Sequence, residues 1–154
     1  MITLRPATAH DATQIADLYL ASRRVFVSFA PIPHSDEDVR LWITTVLVPS
    51  GSVTVAVDGS SIVGMMAAAR RDGVGWIDQL YLLPSHVGRG IGGRLLQHAL
   101  DDLGPPVRLH TFQANAGARR FYERRGFEVV DYGDGTGNEE RCPDVLMEWS
   151  AEVR

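Results

Sequence analysis

Apolar positions along this 154-residue chain fall into blocks of helical period and blocks of strand period. Ile2 and Leu4 alternate as in a short strand. Thr8, with Asp11 three residues on, forms a capping-box signal ahead of a buried stripe of Ile15, Leu18 and Tyr19 at helical spacing. Pro31 and Pro33 interrupt any helix, and Ser35 with Asp38 offers a second cap before Val39, Trp42, Ile43 and Val46. A second helix is therefore predicted to about Leu47. The period then drops to two: Val53, Val55 and Val57 alternate, Asp58-Gly59 supplies turn chemistry, and 62–69 continues extended, which predicts a hairpin. A further strand over 76–83 ends at Pro84. After a glycine-rich loop, Leu95, Leu96, Ala99, Leu100 and Leu103 recur at helical spacing until Gly104-Pro105-Pro106. Strands at 107–112, 127–132 and 145–149, and a helix at 116–125 stopped by Gly126, complete the chain.

Early helices, a hairpin and then strand-helix-strand-helix-strand units imply a mixed sheet covered by helices, because a parallel crossover needs a helix to return. The fold class is α/β, or α+β by stricter naming. The length suits one domain over 1–154, and a composition of 45% hydrophobic and 22% charged residues leaves no room for a long disordered tract. A formal net charge of -4 repels phosphate backbones, so nucleic acid is not an expected partner. No stretch approaches the roughly 20 apolar residues of a spanning helix, so no membrane association is expected either. Cys142 is the only cysteine, which forbids an internal disulfide and suits a reducing, cytoplasmic setting.

The chemistry concentrates in Pro84-Ser85-His86-Val87-Gly88-Arg89-Gly90-Ile91-Gly92-Gly93-Arg94-Leu95-Leu96, where glycines lead a strand into a helix. Helix N-termini present unpaired amide donors and partial positive charge, and missing Cβ atoms let phosphate oxygens approach the backbone. No G-K-[ST] follows, which excludes a P-loop. Gly88, Gly90 and Gly93 match G-x-G-x-x-G formally, but no acidic residue ends the strand at 107–112 to hold a ribose, so a dinucleotide site is disfavoured. A tight turn explains one or two glycines, whereas this cluster favours an anion cradle.

This loop resembles that of the GCN5-related N-acetyltransferase family, whose Q/R-x-x-G-x-G/A motif binds the coenzyme A pyrophosphate between its fourth strand and third helix. Val87 stands at the Q/R position, a departure from the pattern, while Gly90 and Gly92 fall where the small residues belong and Arg89 and Arg94 add positive charge. Upstream, Ile77-Asp78-Gln79-Leu80-Tyr81-Leu82-Leu83-Pro84 is similar to the family's central strand, which splays from its neighbour. Downstream, the run from Asn115 to Phe127 is similar to N-x-x-A-x-x-F-Y-x-x-x-G-F. Together the motifs cover roughly Ser52 to Tyr132.

The resemblance implies a mixed, mostly antiparallel sheet flanked by helices, with a splayed central strand pair. It implies an acetyl-coenzyme A site made of Leu80, Tyr81, Leu82, Gly88, Arg89, Gly90, Ile91, Gly92, Gly93 and Asn115, the strand residues acting through main-chain groups on the pantetheine arm. Read as residues alone, Asn115 also suits a helix cap and Phe121 and Tyr122 suit core packing. The implied activity is direct transfer of acetyl to a primary amine, of a small molecule or a peptide, in a ternary complex. The alternative is a noncatalytic acyl-coenzyme A sensor module.

By the same resemblance Tyr122 would donate a proton to the departing thiolate. Asp78 is the candidate base, since strand alternation puts it on the face of Leu80 and Leu82; His110, on the 107–112 strand, is the second candidate. Cys142 has no histidine near it in sequence and is read as structural. No histidine or cysteine spacing suits a metal, and none is expected. The acceptor pocket should draw on 29–38 and 134–144, the latter offering Asn138, Glu139, Glu140 and Asp144 to a cationic amine. Apolar strands near the C-terminus, which dimerise many members of the family, make a homodimer the expected assembly.

Overall fold

A computed structural model of the chain describes residues 1–150. Seven strands form one sheet: β1 (Ile2–Pro6), β2 (Val53–Asp58), β3 (Ser61–Arg71), β4 (Val74–Leu82), β5 (Val107–Phe112), β6 (Glu128–Gly133) and β7 (Asp144–Trp149), in the order β1-β2-β3-β4-β5-β7-β6. Neighbours run antiparallel except β4 and β5, which are parallel and joined through a helical crossover. The helices are α1 (Ala12–Phe26), α2 (Asp36–Trp42), α3 (Ile91–Leu103) and α4 (Ala116–Glu123). The mixed, mostly antiparallel architecture expected from the sequence is the one observed.

Strand alternation sorts the core into two layers. Met65 and Ala67 of β3 face α1 and α2, joining Ile15, Leu18, Val39 and Ile43. Met66 and Ala68 face the opposite way, toward Leu95, Leu96 and Ala99 of α3 and toward Tyr122 of α4. The crossing from β1 into α1 is held by Asp11, whose carboxylate accepts from the Thr8 backbone N–H at 2.7 Å and from both Arg5 guanidinium nitrogens at 2.8 and 3.0 Å. A single 3-10 turn, Ala9–Asp11, intervenes before α1 becomes regular. Ser35 caps α2 by accepting from the Asp38 N–H at 3.1 Å, as its spacing predicted. The helical path continues to Leu47 through a π turn, Ile43–Leu47. That wider turn keeps Ile43 and Leu47 buried but carries Val46, expected in the stripe, out to solvent at 56% exposure.

The feature that positions the site is the parting of β4 from β5. They pair only at Gly75–Val107, Trp76–Arg108 and Ile77–Leu109, and the ladder then stops. A β-bulge lies at the same point: Ala68 pairs with Ile77 and Ala67 with Gln79, leaving Asp78 as the extra residue. Bulges bend a strand and sharpen its twist, which turns the second half of β4 away from β5.

Candidate active site

Three hollows meet at the parted strands. On the α3–α4 side a cleft of about 570 Å³ is bordered by Leu80, Tyr81 and Leu82 of β4, by Gly88, Gly90, Gly92 and Gly93, and by Asn115, Phe121 and Tyr122. On the α1–α2 side lies a cavity of about 490 Å³ whose lining includes Tyr19, Arg23, Trp42, Asp78, Gln79 and Tyr81. A small space of about 110 Å³, in the gap between β4 and β5, touches both: it shares Leu80, Asn115 and Tyr122 with the cleft and Asp78, His110 and Phe112 with the cavity. Among the described residues Tyr81 alone borders all three.

The cleft's floor is backbone. Gly88 and Gly90 have φ of 78° and 80°, and a Cβ at either would meet nothing within 4 Å, so the left-handed backbone, not crowding, is what selects glycine there. Gly90 is the N-cap of α3, whose first turn opens beside the cleft. Two of the sequence-selected residues sit differently from the rest. Ile91 is 1% exposed and packs into the core, so only its backbone belongs to the loop; Arg89 is exposed and lies outside the cleft lining. Arg124 and Arg125, which the sequence reading passed over, do line the cleft. Arg125 lies 4.1 Å above the Phe121 ring, a cation–π contact that holds a positive charge at the cleft wall. The adjacent arginine pair ending α4 was the available signal. Asn115 caps α4, its side-chain oxygen accepting from the Ala118 N–H at 3.1 Å, while also bordering the cleft.

Tyr122 is buried among Phe121 and Phe127, with ring centroids 5.1 and 5.6 Å away in edge-on contacts. Burial drives its phenol pKa well above the ordinary tyrosine value, and Tyr81 adds to the rise, so the hydroxyl keeps its proton. Asp78 borders the cavity, but not on the face of Leu80 and Leu82. The bulge at Asp78 reverses the alternation, so Leu80 and Leu82 join Ile77 on the α3 side while Tyr81 packs on the α1 side. Both Asp78 carboxylate oxygens accept from Arg71, at 2.8 and 2.9 Å, and Arg71 in turn lies 5.6 Å over the Trp76 ring. His110 stacks on that same indole, at 5.7 Å and 12°.

Both segments expected to build an acceptor pocket border the cavity, through Ile32, Pro33, His34 and Asp38 and through Asn138, Glu139, Glu140 and Asp144. The two adjacent glutamates diverge. Glu139 is exposed and meets His34 Nε2 at 2.9 Å across the mouth; Glu140 turns inward to Arg23 at 3.0 Å, with side-chain exposures of 15% and 7%. Glu140 is therefore not the free carboxylate the sequence reading offered to an amine. Arg23 also donates to the Ala30 carbonyl at 3.0 Å and to the Tyr81 hydroxyl at 3.3 Å. Burial opposes its charge, but Tyr81 and Glu140 outweigh that and hold its pKa above the ordinary arginine value. Arg23 was missed, although it stands four residues beyond Tyr19 in the buried phase of α1. A charged residue in an apolar stripe was the signal.

Residues 13–127 match the model of the acetyltransferase (GNAT) family. The chain belongs to that family. Over 70 residues it is 33% identical to the peptidyl-lysine N-acetyltransferase YiaC of Escherichia coli, a match spanning 46% of this chain and 46% of that protein. Its GNAT fold is also that of the PaiA N-acetyltransferase of Thermoplasma acidophilum, solved with coenzyme A, at a TM-score of 0.77 and 22% identity over 97% of this chain and 99% of that one. Naa50 of Arabidopsis thaliana, solved with a bisubstrate analogue CoA-Ac-MVNAL, superposes with a TM-score of 0.71 and 22% identity over 97% and 98% of the two chains. No helix among the described residues of this GNAT protein is long and apolar enough to cross a membrane.

Proposed function

We propose that the protein transfers the acetyl group of acetyl-coenzyme A directly to a primary amine of a small molecule or peptide. The observation that carries this reading is the junction between the parted strands, where a glycine-floored cleft and a separate polar cavity meet beside one buried phenol. Two reactants entering from opposite faces of a sheet would be brought together there, which is the positioning that a direct transfer requires.

The cleft fits coenzyme A on its own terms. Gly88, Gly90, Gly92 and Gly93 at the start of α3 offer a pyrophosphate a backbone cradle with helix-dipole support, and Arg124 and Arg125 supply charge. Beyond Ile77 the β5-facing edge of β4 has no ladder partner among the described residues, which leaves main-chain groups of residues 78–82 to pair with an amide-bearing arm. The relatives solved with coenzyme A or a coenzyme A conjugate support the same assignment by analogy.

In the reaction the amine nitrogen attacks the thioester carbonyl carbon, the C–S bond breaks, and the thiolate takes up a proton while the new amide nitrogen loses one. Tyr122 is assigned as the donor to sulfur, because burial keeps its phenol protonated at the cleft end of the junction. Asp78 is assigned as the acceptor of the amine proton, through water, with His110 the second candidate on the same rim. The cavity's carboxylates outnumber Arg23, which favours a cationic acceptor. A cytoplasmic setting and a homodimer remain part of the reading, resting on the single partly exposed Cys142 and on the apolar C-terminal strands.

The test follows thiol release from acetyl-coenzyme A over a broad amine panel. Amine-dependent release that falls about a hundredfold in Tyr122→Phe, and also in Asp78→Asn, with coenzyme A affinity kept, supports the roles assigned. Tight coenzyme A binding with no release on any amine overturns the transferase reading in favour of a sensor module.

A further inference from the structure

The Arg23 guanidinium occupies an unusual position for a charge. Its residue is 6% exposed, it lies on the buried side of α1, and its terminal nitrogens reach three other segments of the chain. One terminal nitrogen meets the Tyr81 hydroxyl on β4; the second terminal nitrogen meets the Ala30 carbonyl after α1 and the Glu140 carboxylate in the loop between β6 and β7. The ring of Phe112, at the far end of β5, lies 6.0 Å from the same group. A single cation thus joins both parted strands to the two loops that wall the polar cavity.

Its contact with Tyr81 has a directional consequence. The guanidinium donates to the phenol oxygen, so the Tyr81 O–H hydrogen points elsewhere. Tyr81 is also the residue that borders cleft, junction and cavity together, and its ring is held edge-on by Tyr19 at 5.0 Å. Glu140, for its part, belongs to a loop stapled internally by Asn138, whose amide donates to the Cys142 carbonyl at 2.8 Å and accepts from the Cys142 N–H at 3.1 Å. That loop is a preformed unit, attached to the rest of the cavity by Glu140 on Arg23 and, at the exposed mouth, by Glu139 on His34. Of these partners Tyr81 borders the cleft, whereas Ala30, Phe112 and Glu140 do not.

We propose that Arg23 is a positioning residue for the acceptor half of the site, fixing Tyr81 and the loop of Glu139 and Glu140 relative to each other, so that it governs how the acceptor, and not acetyl-coenzyme A, is held. This rests on the acetyl-transfer reading. Breaking a buried pair from one side leaves the other charge uncompensated, whereas removing both does not. Arg23→Met and Glu140→Gln therefore act on one device, and their effects do not add.

The experiment is steady-state kinetics on the full chain, with acceptor and acetyl-coenzyme A each varied, for native protein, Arg23→Met, Arg23→Lys, Glu140→Gln, Tyr81→Phe and the Arg23→Met/Glu140→Gln double variant. Coenzyme A affinity is measured separately by titration, which also reports that each variant is folded. The expected result is a rise of about tenfold or more in acceptor KM for Arg23→Met, the size of a lost charge-assisted hydrogen bond, with acetyl-coenzyme A KM and coenzyme A affinity within about twofold of native. Arg23→Lys restores part of the loss because it keeps the charge but not the three-way reach. The double variant is no worse than the poorer single one. Equal rises in both KM values, or no change in acceptor KM, overturn the positioning role while leaving acetyl transfer standing. A native protein that releases no thiol with any amine overturns the transfer reading and the acceptor role with it.

Discussion

Two of the glycines at the start of α3, Gly90 and Gly92, make opposite predictions for the same substitution. Gly90 has φ of 80° with open space where a Cβ would stand, so Gly90→Ala meets no clash and suffers only the left-handed backbone, about 1–2 kcal/mol. Gly92 lies inside the helix, and a Cβ there would sit 3.4 Å from Phe121 and 3.6 Å from Leu82, which is ordinary contact. Gly92→Ala therefore gains helix propensity and loses unfolded-state freedom, a stabilisation of about 0.5–1 kcal/mol. The variants should differ by roughly 1.5–3 kcal/mol in urea unfolding, or about 3–12 °C in Tm for a chain of this size. The functional consequence is also separable. Relief of the strain in Gly90→Ala displaces the cleft floor, so the thermal shift produced by coenzyme A shrinks in that variant. If Gly90→Ala unfolds with the native protein, or if both variants move together, the left-handed loop is not the resting conformation and the cradle argued from it fails.

Asp11 ties β1 to α1, and its carboxyl is pulled down from 3.8 to about 2 by the Arg5 hydrogen bonds, with the Thr8 N–H assisting, against the opposing effect of burial. The folded state thus prefers the ionised form. The stabilisation is complete above the unfolded value near 3.8 and is lost as pH falls toward 2. Because Arg5 is 44% exposed, the shift is discounted to about 1–2 kcal/mol, and Asp11→Asn should lower stability by that amount at neutral pH and by nothing near pH 2; an equal loss at both ends of a pH series of urea melts would contradict this. Asn115→Ala should lower stability by about 1 kcal/mol through loss of the α4 cap, and Asn115→Asp should keep it. Calorimetric unfolding of the two variants decides the point, since equal losses would rule out capping.

Much of the fold was legible because its elements carry local signals. The strand at Val107–Phe112 appears at the predicted place, and Ser35 and Asn115 cap the helices that follow them. Within the candidate site, the place and left-handed turns of the glycine loop were legible for the same reason: the loop is contiguous, and what it offers a ligand is backbone. Arg23 was not, because its partners Tyr81, Ala30 and Glu140 are separated from it by 58, 7 and 117 positions. What the sequence does carry is its phase: Ile15, Tyr19 and Arg23 follow one another at intervals of four, so the arginine points inward wherever α1 is laid down.

Asp78 lies off the face that strand alternation predicts for a different reason, and that reason explains the site. A strand of unbroken period would put Asp78, Leu80 and Leu82 together and Ile77, Gln79 and Tyr81 on the opposite face. One extra residue at Asp78 exchanges these sets, so that Ile77, Leu80 and Leu82 pack on α3 while Asp78 and Tyr81 border the polar cavity. Nothing in Trp76-Ile77-Asp78-Gln79-Leu80 marks a bulge, since it contains neither glycine nor proline. The bulge is decided by what lies on either side: Ile77 must bury against α3, and Tyr81 must reach Tyr19 and Arg23 on α1. These residues are four apart on opposite faces, which regular pleating forbids and one inserted residue permits. The same insertion accompanies the end of the β4–β5 ladder at Ile77, so the gap in which the two hollows meet and the orientation of the groups that border it follow from a single local irregularity.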